Sequence, residues 1–543
     1  MVHALFIPVS HIHTMFLRFV KRRHGSRTVE YAQIAEKYRE NGKQKTKVID
    51  HLGPVKNEKD RERYREIFQA GVRKEKIKDT DLERLDFDPP LEFGLMYALR
   101  SIMERTGISR SLSILGKYRE TAFLMIAGRI MDPGSDISLT RLYSRIYYPW
   151  DPPMMGKDDL YRCLDHIHGL KEMIEMNIFK ALIPDTSVVH YDLTSSYFEG
   201  REDNDLVLFG YSRDKKRGKE QIVIGLVMAD GIPIYHEVWP GNTIDPKTLE
   251  KTISTLRERF HIGKAIVIAD RAFGRGPSLK LLDRNEYITA AYRWDQPYRR
   301  IMSETTFSRD DLLDDLYMKE VHVDAADLTD VETTGDEKNL IMKRRHIAVY
   351  NSDREKLDLE DIERKMNTVR QKMNEIDDIS DLKKSLGKLK SLVKFTKDGA
   401  VLNEKRISIL KGLSGRFMII TNTNLPVREI VSAYKEQWKI ERSFRTIKSF
   451  LEIRPVYHRK SERIRAHVFV CILSLLMSRI IEKLSHETIE RTAEILADIK
   501  AIPVRSPMSI VYCSGSEETS DLLNRMKIDP PDRILVGALP KGH

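Results

Sequence analysis

The sequence predicts an α/β protein whose core is a mixed five-stranded sheet. Three apolar, β-rich segments between residues 188 and 239 are joined by a basic loop and by Asp230-Gly231, a strong hairpin signal. The chain then alternates helical and apolar extended segments, at 246–260, 264–269, 277–285 and 287–293. The predicted order is therefore β-β-β-α-β-α-β, with a three-stranded meander followed by two strands that are joined through helices.

Composition and charge narrow the class of protein. The 543 residues are enough for several domains, and 41% hydrophobic with 32% charged residues is typical of a folded soluble protein. The net charge of +11 favours a polyanionic partner. Cys163, Cys471 and Cys513 are too few and too far apart for a disulfide framework or a zinc site, which indicates a reducing compartment.

Targeting signals are weak. The start lacks the basic region and the cleavage site of a signal peptide. The longest apolar run, Val468 to Met477, is half of the roughly 20 residues that span a bilayer. We therefore expect a cytoplasmic, nucleoid-associated protein with no membrane role.

Shifts in composition along the chain predict seven segments. We expect a small basic β domain (1–55), a linker (56–89), a helical domain (90–183), a first part of the α/β core (184–294), an insertion domain (295–415), a second part of that core (416–485) and a helical or irregular tail (486–543). Within the insertion, the charged stretch 353–394 is predicted to form a helical hairpin.

The two N-terminal domains are predicted from local sequence signals. Alternating runs at 16–21, 29–39 and 45–52 flank the hairpin signal Asn41-Gly42 and predict an antiparallel sheet. Helices are predicted at 91–106, 118–131 and 137–147. A Pro-Gly break between two of them permits a helix-turn-helix that reads DNA, although helix pairs joined in this way are more often plain packing.

Three carboxylates fall at special places in this order. It is the order of the ribonuclease-H-like plan, which has acidic residues on the first strand, at the end of the fourth strand and on a later helix. Asp192, Asp270 and Glu441 occupy those places. Each aspartate alone could simply cap a turn, but the three together match the fold order.

The chemistry of three converging carboxylates points to metal ions. Such carboxylates repel one another unless cations compensate, and their hard oxygens suit Mg²⁺. Two Mg²⁺ ions, bridged by Asp192 and held singly by Asp270 and Glu441, can activate an attacking water or 3′-hydroxyl. The second ion stabilises the leaving oxygen of a phosphodiester.

The segment from Tyr434 to Lys448 is predicted to be one continuous helix, because neither Gly nor Pro interrupts it. An apolar stripe anchors it to a core, formed by Ile440, Phe444, Ile447 and Leu451. A polar line beside the stripe combines Tyr434, Gln437, Glu441 and Lys448. Lys439, Arg442 and Arg445 add positive charge around it. An ordinary solvated amphipathic helix has the same pattern. Only the presence of Asp192 and Asp270 elsewhere in the chain favours an active-site helix over that alternative.

With these residues in place, the sequence resembles the DDE transposases of prokaryotic insertion sequences, in the group with a large insertion before the catalytic Glu. That group carries a Tyr-x2-Arg-x3-Glu-x6-Lys motif. Tyr434, Glu441 and Lys448 match its spacing, while Gln437 stands where the motif has Arg. Further stretches are similar to one subgroup, namely GYSRDKKRGKEQIVIGL, PGNTIDPKTL, IADRAFGRG, FLEIRPVYHRKSERIRAHVFVC and the N-terminal FLRFVKRRHGSRTVEYAQIAEKYRENGKQKTKVIDHLG.

The resemblance implies a metal-dependent nuclease and strand transferase that acts on the terminal inverted repeats of its own element. It implies Mg²⁺ with Mn²⁺ as a substitute, double-stranded DNA as partner and a homodimer on that DNA. The candidate DNA-binding residues are Tyr434, Gln437, Lys448, Arg442, Arg445, Arg213, Lys215, Lys216, Arg217, Arg459 and Lys460. Phe417 resembles the aromatic residue on which some relatives stack a flipped base, and Trp294 is the other candidate.

Two alternatives stay open. A ribonuclease-H-like nuclease that cuts DNA without joining it would share the three carboxylates. A catalytically decayed transposase would retain only DNA binding, although the intact Asp192, Asp270 and Glu441 argue against decay. A nucleotide-binding enzyme lacks support, because the sequence has no phosphate-binding glycine motif after a strand.

Overall fold

The computed structural model describes most of the chain. Described are residues 15–24, 27–40, 43–55, 58, 61–62, 64–65, 68, 86–135, 138–183, 186, 188–198, 204–210, 218–262, 266–313, 315–329, 331, 334–396, 399–505, 510–531 and 534–536. The chain divides into two compact units. The terminal unit comprises Met1–Pro184, Phe198–Asp205 and Arg445–His543, and the central unit comprises Asp185–Tyr197 and Leu206–Phe444.

The terminal unit begins with the predicted antiparallel sheet. Its strands are β1 (Met15–His24), β2 (Arg27–Glu40) and β3 (Lys43–Val55), with β2 in the middle. Ala32 on β2 is fully buried beside Tyr64, and apolar side chains from β1 and β3 pack against them. The predicted turn at Asn41-Gly42 and most of the predicted linker lie outside the described residues.

Helices follow in the same unit. After the short strands β4 (Asp86–Phe87) and β5 (Leu91–Glu92) come α1 (Gly94–Arg105), α2 (Ile108–Leu112), α3 (Arg119–Met131), α4 (Leu139–Tyr143) and α5 (Lys157–Leu182). The first two predicted helices correspond to α1 and α3. The third is shorter than predicted, because α4 ends at Tyr143 and Ile146 then forms an isolated bridge with Glu92.

The central unit contains the predicted β-β-β-α-β-α-β order. Its elements are β6 (Val188–Tyr197), β7 (Leu208–Phe209), β8 (Glu220–Ala229), β9 (Ile232–Pro240), α6 (Asp245–Glu258), β10 (Ile266–Ala269), α7 (Gly276–Leu282) and β11 (Glu286–Ala290). β6, β8 and β9 form the antiparallel meander, and β10 lies parallel to both β6 and β11. Asp230 and Gly231 both have positive φ (49° and 75°), as the predicted two-residue hairpin turn requires.

The insertion contributes strands to this sheet. Its elements are α8 (Tyr298–Glu304), β12 (Leu312–Leu313), β13 (Leu316–Val321), α9 (Gly335–Lys343), β14 (Arg345–Tyr350), α10 (Ser352–Glu375), α11 (Ile379–Leu386), β15 (Val393–Thr396), β16 (Gly399–Leu402) and α12 (Glu404–Gly412). The returning strand β17 (Arg416–Thr421) pairs antiparallel with β11 on one side and with β14 on the other.

The prediction of a five-stranded sheet was therefore wrong in number. The sheet has ten strands in the described chain, in the order β12-β13-β14-β17-β11-β10-β6-β8-β7, with β9 also paired to β8. The outer edge of β11 would otherwise expose unpaired backbone groups, and β17, β14 and β13 cover it in turn. The rest of the insertion has a core of its own: α10, α11 and α12 pack around Ile362, Val369, Leu382 and Ile407. α10 and α11 are the two arms of the predicted helical hairpin.

The C-terminal part completes both units. It contains α13 (Val427–Lys435), α14 (Trp438–Ser449), α15 (Ser461–Ser485), α16 (Ile489–Leu496), β18 (Lys500–Arg505), β19 (Ile510–Cys513), α17 (Glu517–Arg525) and β20 (Ile534–Val536). β18, β19 and β20 form a five-stranded sheet with β4 and β5. α15 is long and apolar enough to cross a membrane, but 89% of its most apolar window is buried, as in the core helix of a soluble protein.

Candidate active site

Two aspartates lie side by side on neighbouring parallel strands. β6 and β10 pair with Tyr191 opposite Ala269, and the next residues are Asp192 and Asp270. Asp270 keeps an extended backbone (φ −64°, ψ 160°). Residues opposite each other on neighbouring strands point to the same face, and the strands lie about 4.8 Å apart. The sheet therefore presents both carboxylates on one face.

Each aspartate also bonds to the backbone that follows it. Asp192 Oδ1 accepts a hydrogen bond from the Leu193 N–H at 2.7 Å. Asp270 Oδ1 accepts one from the Arg271 N–H at 2.6 Å and caps a short 3₁₀ turn. The capping role considered for Asp270 is thus real, and it fixes the orientation of a carboxylate that lies beside Asp192.

The phenol of Tyr434 lies within electrostatic range of all three predicted carboxylates. Tyr434 packs against the hydrophobic core of the central unit, and this burial raises the pKa of its hydroxyl. The negative charges of Asp270, Glu441 and Asp192 raise that pKa further, while Arg271 lowers it. Charges influence a side chain in this way only over short distances. Each of the three predicted carboxylates therefore lies close enough to Tyr434 for its charge to act there.

Glu441 lies in the first turn of α14 and is exposed. The unpaired N–H groups of a first helical turn favour a carboxylate there. The apolar stripe predicted behind it is buried, with Ile440, Phe444, Ile447 and Leu451 at most 6% exposed. The stripe anchors the helix and leaves Glu441 accessible.

The prediction of one continuous helix from Tyr434 to Lys448 was wrong. α13 ends at Lys435 and α14 begins at Trp438. Across the break, the Gln437 N–H donates to the Tyr434 carbonyl (3.0 Å) and the Ile440 N–H to the Gln437 carbonyl (3.1 Å). These tighter bonds turn the chain between the two helices, so that Tyr434 and Glu441 lie on separate helices.

Gln437 explains the break. Its side chain is buried at 5% exposure, with Oε1 3.1 Å from His190 Nδ1 and Nε2 donating to the Tyr191 carbonyl at 3.3 Å. Both amide atoms are thus bonded to β6, directly before Asp192. This placement does not fit the predicted phosphate contact, because the amide faces the protein interior. Gln437 instead ties the start of α14 to the strand that carries Asp192.

The donor atoms at this site suit a hard cation. Three carboxylates and a phenol offer only oxygen, the donor that Mg²⁺ and Mn²⁺ prefer. Within the described part of the chain, no three His, Cys, Asp or Glu side chains are close enough together to hold a metal ion by themselves. Mg²⁺ commonly keeps several waters and takes one or two carboxylates together with substrate phosphates. Asp192, Asp270 and Glu441 fit that kind of shared coordination by their chemistry.

The residues predicted to contact DNA differ in their exposure, and four of them lie outside the described part of the chain. Arg213, Lys215, Lys216 and Arg217 lie outside the described residues. Arg445, Arg459 and Lys460 are exposed, and Arg442 and Lys448 are half-buried on α14. Arg463 is close in sequence to Arg459 and Lys460. It pairs with Asp165 at 2.8 Å and lies over the Tyr161 ring at 4.6 Å, so its role is structural. Phe417 is partly buried, with its ring centroid 6.0 Å from that of Tyr434.

Sequence reasoning missed two residues at the site. His190 is buried two residues before Asp192, where strand alternation places it on the same face, but an apolar strand position gave no functional signal. Arg271 directly follows Asp270 and acts on Tyr434. The position next to a candidate ligand was the one available signal for Arg271.

Comparison with protein families gives two matches. The transposase DDE domain matches residues 186–477, more than half of the chain, and this range includes all three carboxylates. The N-terminal domain of the IS1634 family transposases matches residues 17–81.

Two curated relatives match over shorter stretches. The transposase for insertion sequence element IS231E of Bacillus thuringiensis subsp. finitimus is 27% identical over 140 residues, covering 25% of this chain and 28% of that protein. The transposase for IS231B of Bacillus thuringiensis subsp. berliner is 27% identical over 132 residues, covering 23% and 27%. The chain therefore spans little more than a quarter of the length of these relatives.

Solved structures give remote matches. A synaptic complex of piggyBac transposase with hairpin DNA has 9% identity and a TM-score of 0.32, over 81% of this chain and 74% of that one. A Mos1 transposase paired-end complex with the left transposon end has 12% identity and a TM-score of 0.15, over 43% and 67%. TM-scores this low carry no argument about geometry.

Proposed function

Because the chain belongs to the transposase DDE domain family, we propose that it is a DNA transposase of a prokaryotic insertion sequence. In this proposal it cleaves DNA at the terminal inverted repeats of its element and transfers the cut strand into target DNA. The central sheet, with its meander followed by parallel strands, is then a ribonuclease-H-like core that is extended by the insertion. The observation that carries the proposal is the placement of Asp192 and Asp270 at neighbouring positions of two paired parallel strands, together with Glu441 in the first turn of α14.

Each carboxylate has a distinct part. Asp192 is the candidate that would bridge two divalent ions, and Asp270 and Glu441 would each hold one of them. Bound Mg²⁺ or Mn²⁺ would supply a more acidic nucleophile and stabilise the leaving oxygen. The protein orients these ligands through the cap at Asp270 and the Gln437 tie. The Tyr434 hydroxyl stays protonated because its pKa is raised, so it can donate a hydrogen bond to a phosphate oxygen beside the carboxylates.

The partners follow from the same proposal. The substrate is double-stranded DNA, both the terminal repeats and the target, and the net charge of +11 favours it. Bringing two ends together calls for a homodimer on DNA. The exposed Arg445, Arg459 and Lys460 and the half-buried Arg442 and Lys448 are proposed phosphate contacts. Action on chromosomal DNA fits a cytoplasmic, nucleoid-associated protein.

The test uses labelled duplex made from the inverted repeats that flank the gene, incubated with purified protein and Mg²⁺. Binding is read by mobility shift, cleavage on denaturing gels and joining as products with a target plasmid. Cleavage at the repeat boundary followed by joining is the expected result. Cleavage without joining would favour the nuclease, and binding without cleavage, even with Mn²⁺, would favour the decayed DNA-binding protein. Failure to bind the repeats would contradict the proposed substrate.

A further inference from the structure

A group of arginines lies at the same end of the central sheet as Asp270. β10 and β11 are parallel and paired, so the residues that follow them lie at the same end of the sheet. Arg271 and Arg275 follow β10, and Arg293 follows β11. Two more come from the insertion, Arg354 on α10 and Arg406 on α12. We call these five residues the arginine cluster.

Aromatic rings hold parts of this cluster in place. The Arg406 guanidinium carbon lies 3.7 Å from the Trp294 ring centroid, and that of Arg293 lies 5.4 Å away. Arg275 lies 4.3 Å from the centroid of Tyr292. A guanidinium stacked on a ring keeps its N–H groups available at its edge. Arg406 thus covers one face of Trp294, and the stacking of a flipped base on this ring stays a prediction for its other face.

The positive charge of the cluster is poorly compensated. Among the described residues, Arg354 has an acidic partner, Asp358 at 3.0 Å, whereas no carboxylate lies within ion-pair distance of Arg271, Arg293 or Arg406. Burial lowers the pKa of the Arg293 guanidinium, the charge of Asp358 raises it, and the charges of Arg271, Arg354 and Arg406 lower it further. Like charges held this close together are unfavourable without an anion. Asp358 compensates part of this charge, and an anion bound among the arginines would compensate more of it.

We propose that the arginine cluster binds the sugar-phosphate backbone of a DNA strand next to the carboxylate site. Guanidinium groups bind phosphate oxygens in a bidentate manner, and contacts to phosphates are independent of base sequence. Arg271 connects the two sites, since it directly follows Asp270 and acts on Tyr434. The inference rests on the proposed function and adds to it the position of the strand beside the cleavage point.

The test is the salt dependence of DNA binding. The logarithm of the DNA-binding constant falls linearly with the logarithm of the salt concentration, and each phosphate contact makes this slope steeper by about 0.9 on duplex DNA. The double variant Arg293→Gln with Arg406→Gln is expected to reduce the slope by roughly 1.8. The matched control, Arg364→Gln with Arg370→Gln, removes the same charge from exposed positions on α10 and is expected to leave the slope unchanged. Unchanged circular dichroism and thermal unfolding would show that the variants fold.

Two duplexes separate this inference from the proposed function. One carries the terminal repeat and one has a random sequence of the same length, because phosphate contacts do not need the repeat. A reduced slope on both duplexes in the double variant supports the cluster, even if wild type fails to cleave the repeat. Equal slopes for wild type, double variant and control overturn it, even if wild type cleaves. A further variant, Arg406→Lys, keeps the positive charge but loses the planar group that stacks on the ring. It is expected to retain most of the salt dependence, which would show that the loss in the double variant comes from charge and not from misfolding.

Discussion

Gln437 Oε1 lies 3.1 Å from Nδ1 of His190, although the two residues are 247 positions apart in the chain. The bond joins the break between α13 and α14 to β6. Two residues further along β6 is Asp192, and four residues further along the chain from Gln437 is Glu441. The relative placement of these two carboxylates therefore depends on a buried pair of side chains, Gln437 and His190.

Replacing Gln437 tests that dependence. Gln437→Leu leaves the buried His190 ring and the Tyr191 carbonyl without their partner, and we expect a loss of about 1–3 kcal/mol in the free energy of unfolding, measured in urea. Gln371→Leu, on the exposed face of α10, is the matched control and is expected to change it by less than about 0.5 kcal/mol. Equal effects would mean that Gln437 does not tie α14 to β6.

Tyr434→Phe tests the hydroxyl on which the charges of the three carboxylates act. If this group donates to a phosphate, its loss removes a hydrogen bond to a charged acceptor, worth about 1.5–3 kcal/mol. We expect the rate of repeat-end cleavage to fall by roughly 10- to 100-fold, with little change in thermal unfolding. Tyr317→Phe on β13 is the control. Cleavage at the wild-type rate in Tyr434→Phe would remove the hydroxyl from the mechanism.

Phe417 has two candidate roles that different substitutions separate. Phe417→Leu keeps most of the packing beside Tyr434 but cannot stack on a base. Base stacking is worth about 1–3 kcal/mol, so we expect Leu to lower end cleavage about as much as Ala does if Phe417 holds a base. If Leu restores cleavage while Ala destabilises the fold, the ring serves packing alone. End cleavage and urea unfolding of both variants decide between these outcomes.

His346 makes stability depend on pH. It is buried on β14, and burial, with the charges of Arg344 and His322, lowers its pKa to about 4. The unfolded chain binds a proton near pH 6.5 that the folded chain does not. Stability is therefore complete above about pH 6.5 and falls by up to about 1.4 kcal/mol per unit as pH decreases towards 4.

The check is urea unfolding at a series of pH values. His346→Leu is expected to reduce the dependence between pH 6.5 and 4 but not to remove it, because burial also lowers the pKa of His190 and of His168. His166→Gln, an exposed histidine of the terminal unit, is expected to keep it, because His346 remains. A wild-type slope that survives in His346→Leu would assign the pH dependence to other groups.

Local signals allowed the strands and the two aspartates to be predicted. The apolar run before Asp270 and the alternation around Asp192 are properties of short segments, and the sheet pairs them side by side. The break at Gln437 could not be predicted, because nothing between Tyr434 and Lys448 opposes a helix. Its cause is a buried bond to a distant strand.

The size of the sheet and the arginine cluster also could not be predicted from the sequence, because both depend on contacts between distant segments. The strand at 345–350 is apolar, but its sequence does not reveal that it covers β17 rather than forming a separate domain. Likewise Arg271, Arg293 and Arg406 come from three separate segments, each of which has the composition of an ordinary charged surface. The fold brings them together beside the rings of Tyr292 and Trp294.

The most direct test of the central claim is metal-dependent cleavage of the repeat end by three conservative variants. Asp192→Asn, Asp270→Asn and Glu441→Gln keep the size of each side chain and remove its charge. We expect each to lower the Mg²⁺-dependent cleavage rate by at least about a hundredfold while binding of the same DNA is retained. Asp353→Asn, exposed on α10, should cleave as wild type does. Cleavage at the wild-type rate by any one of the three would contradict the account.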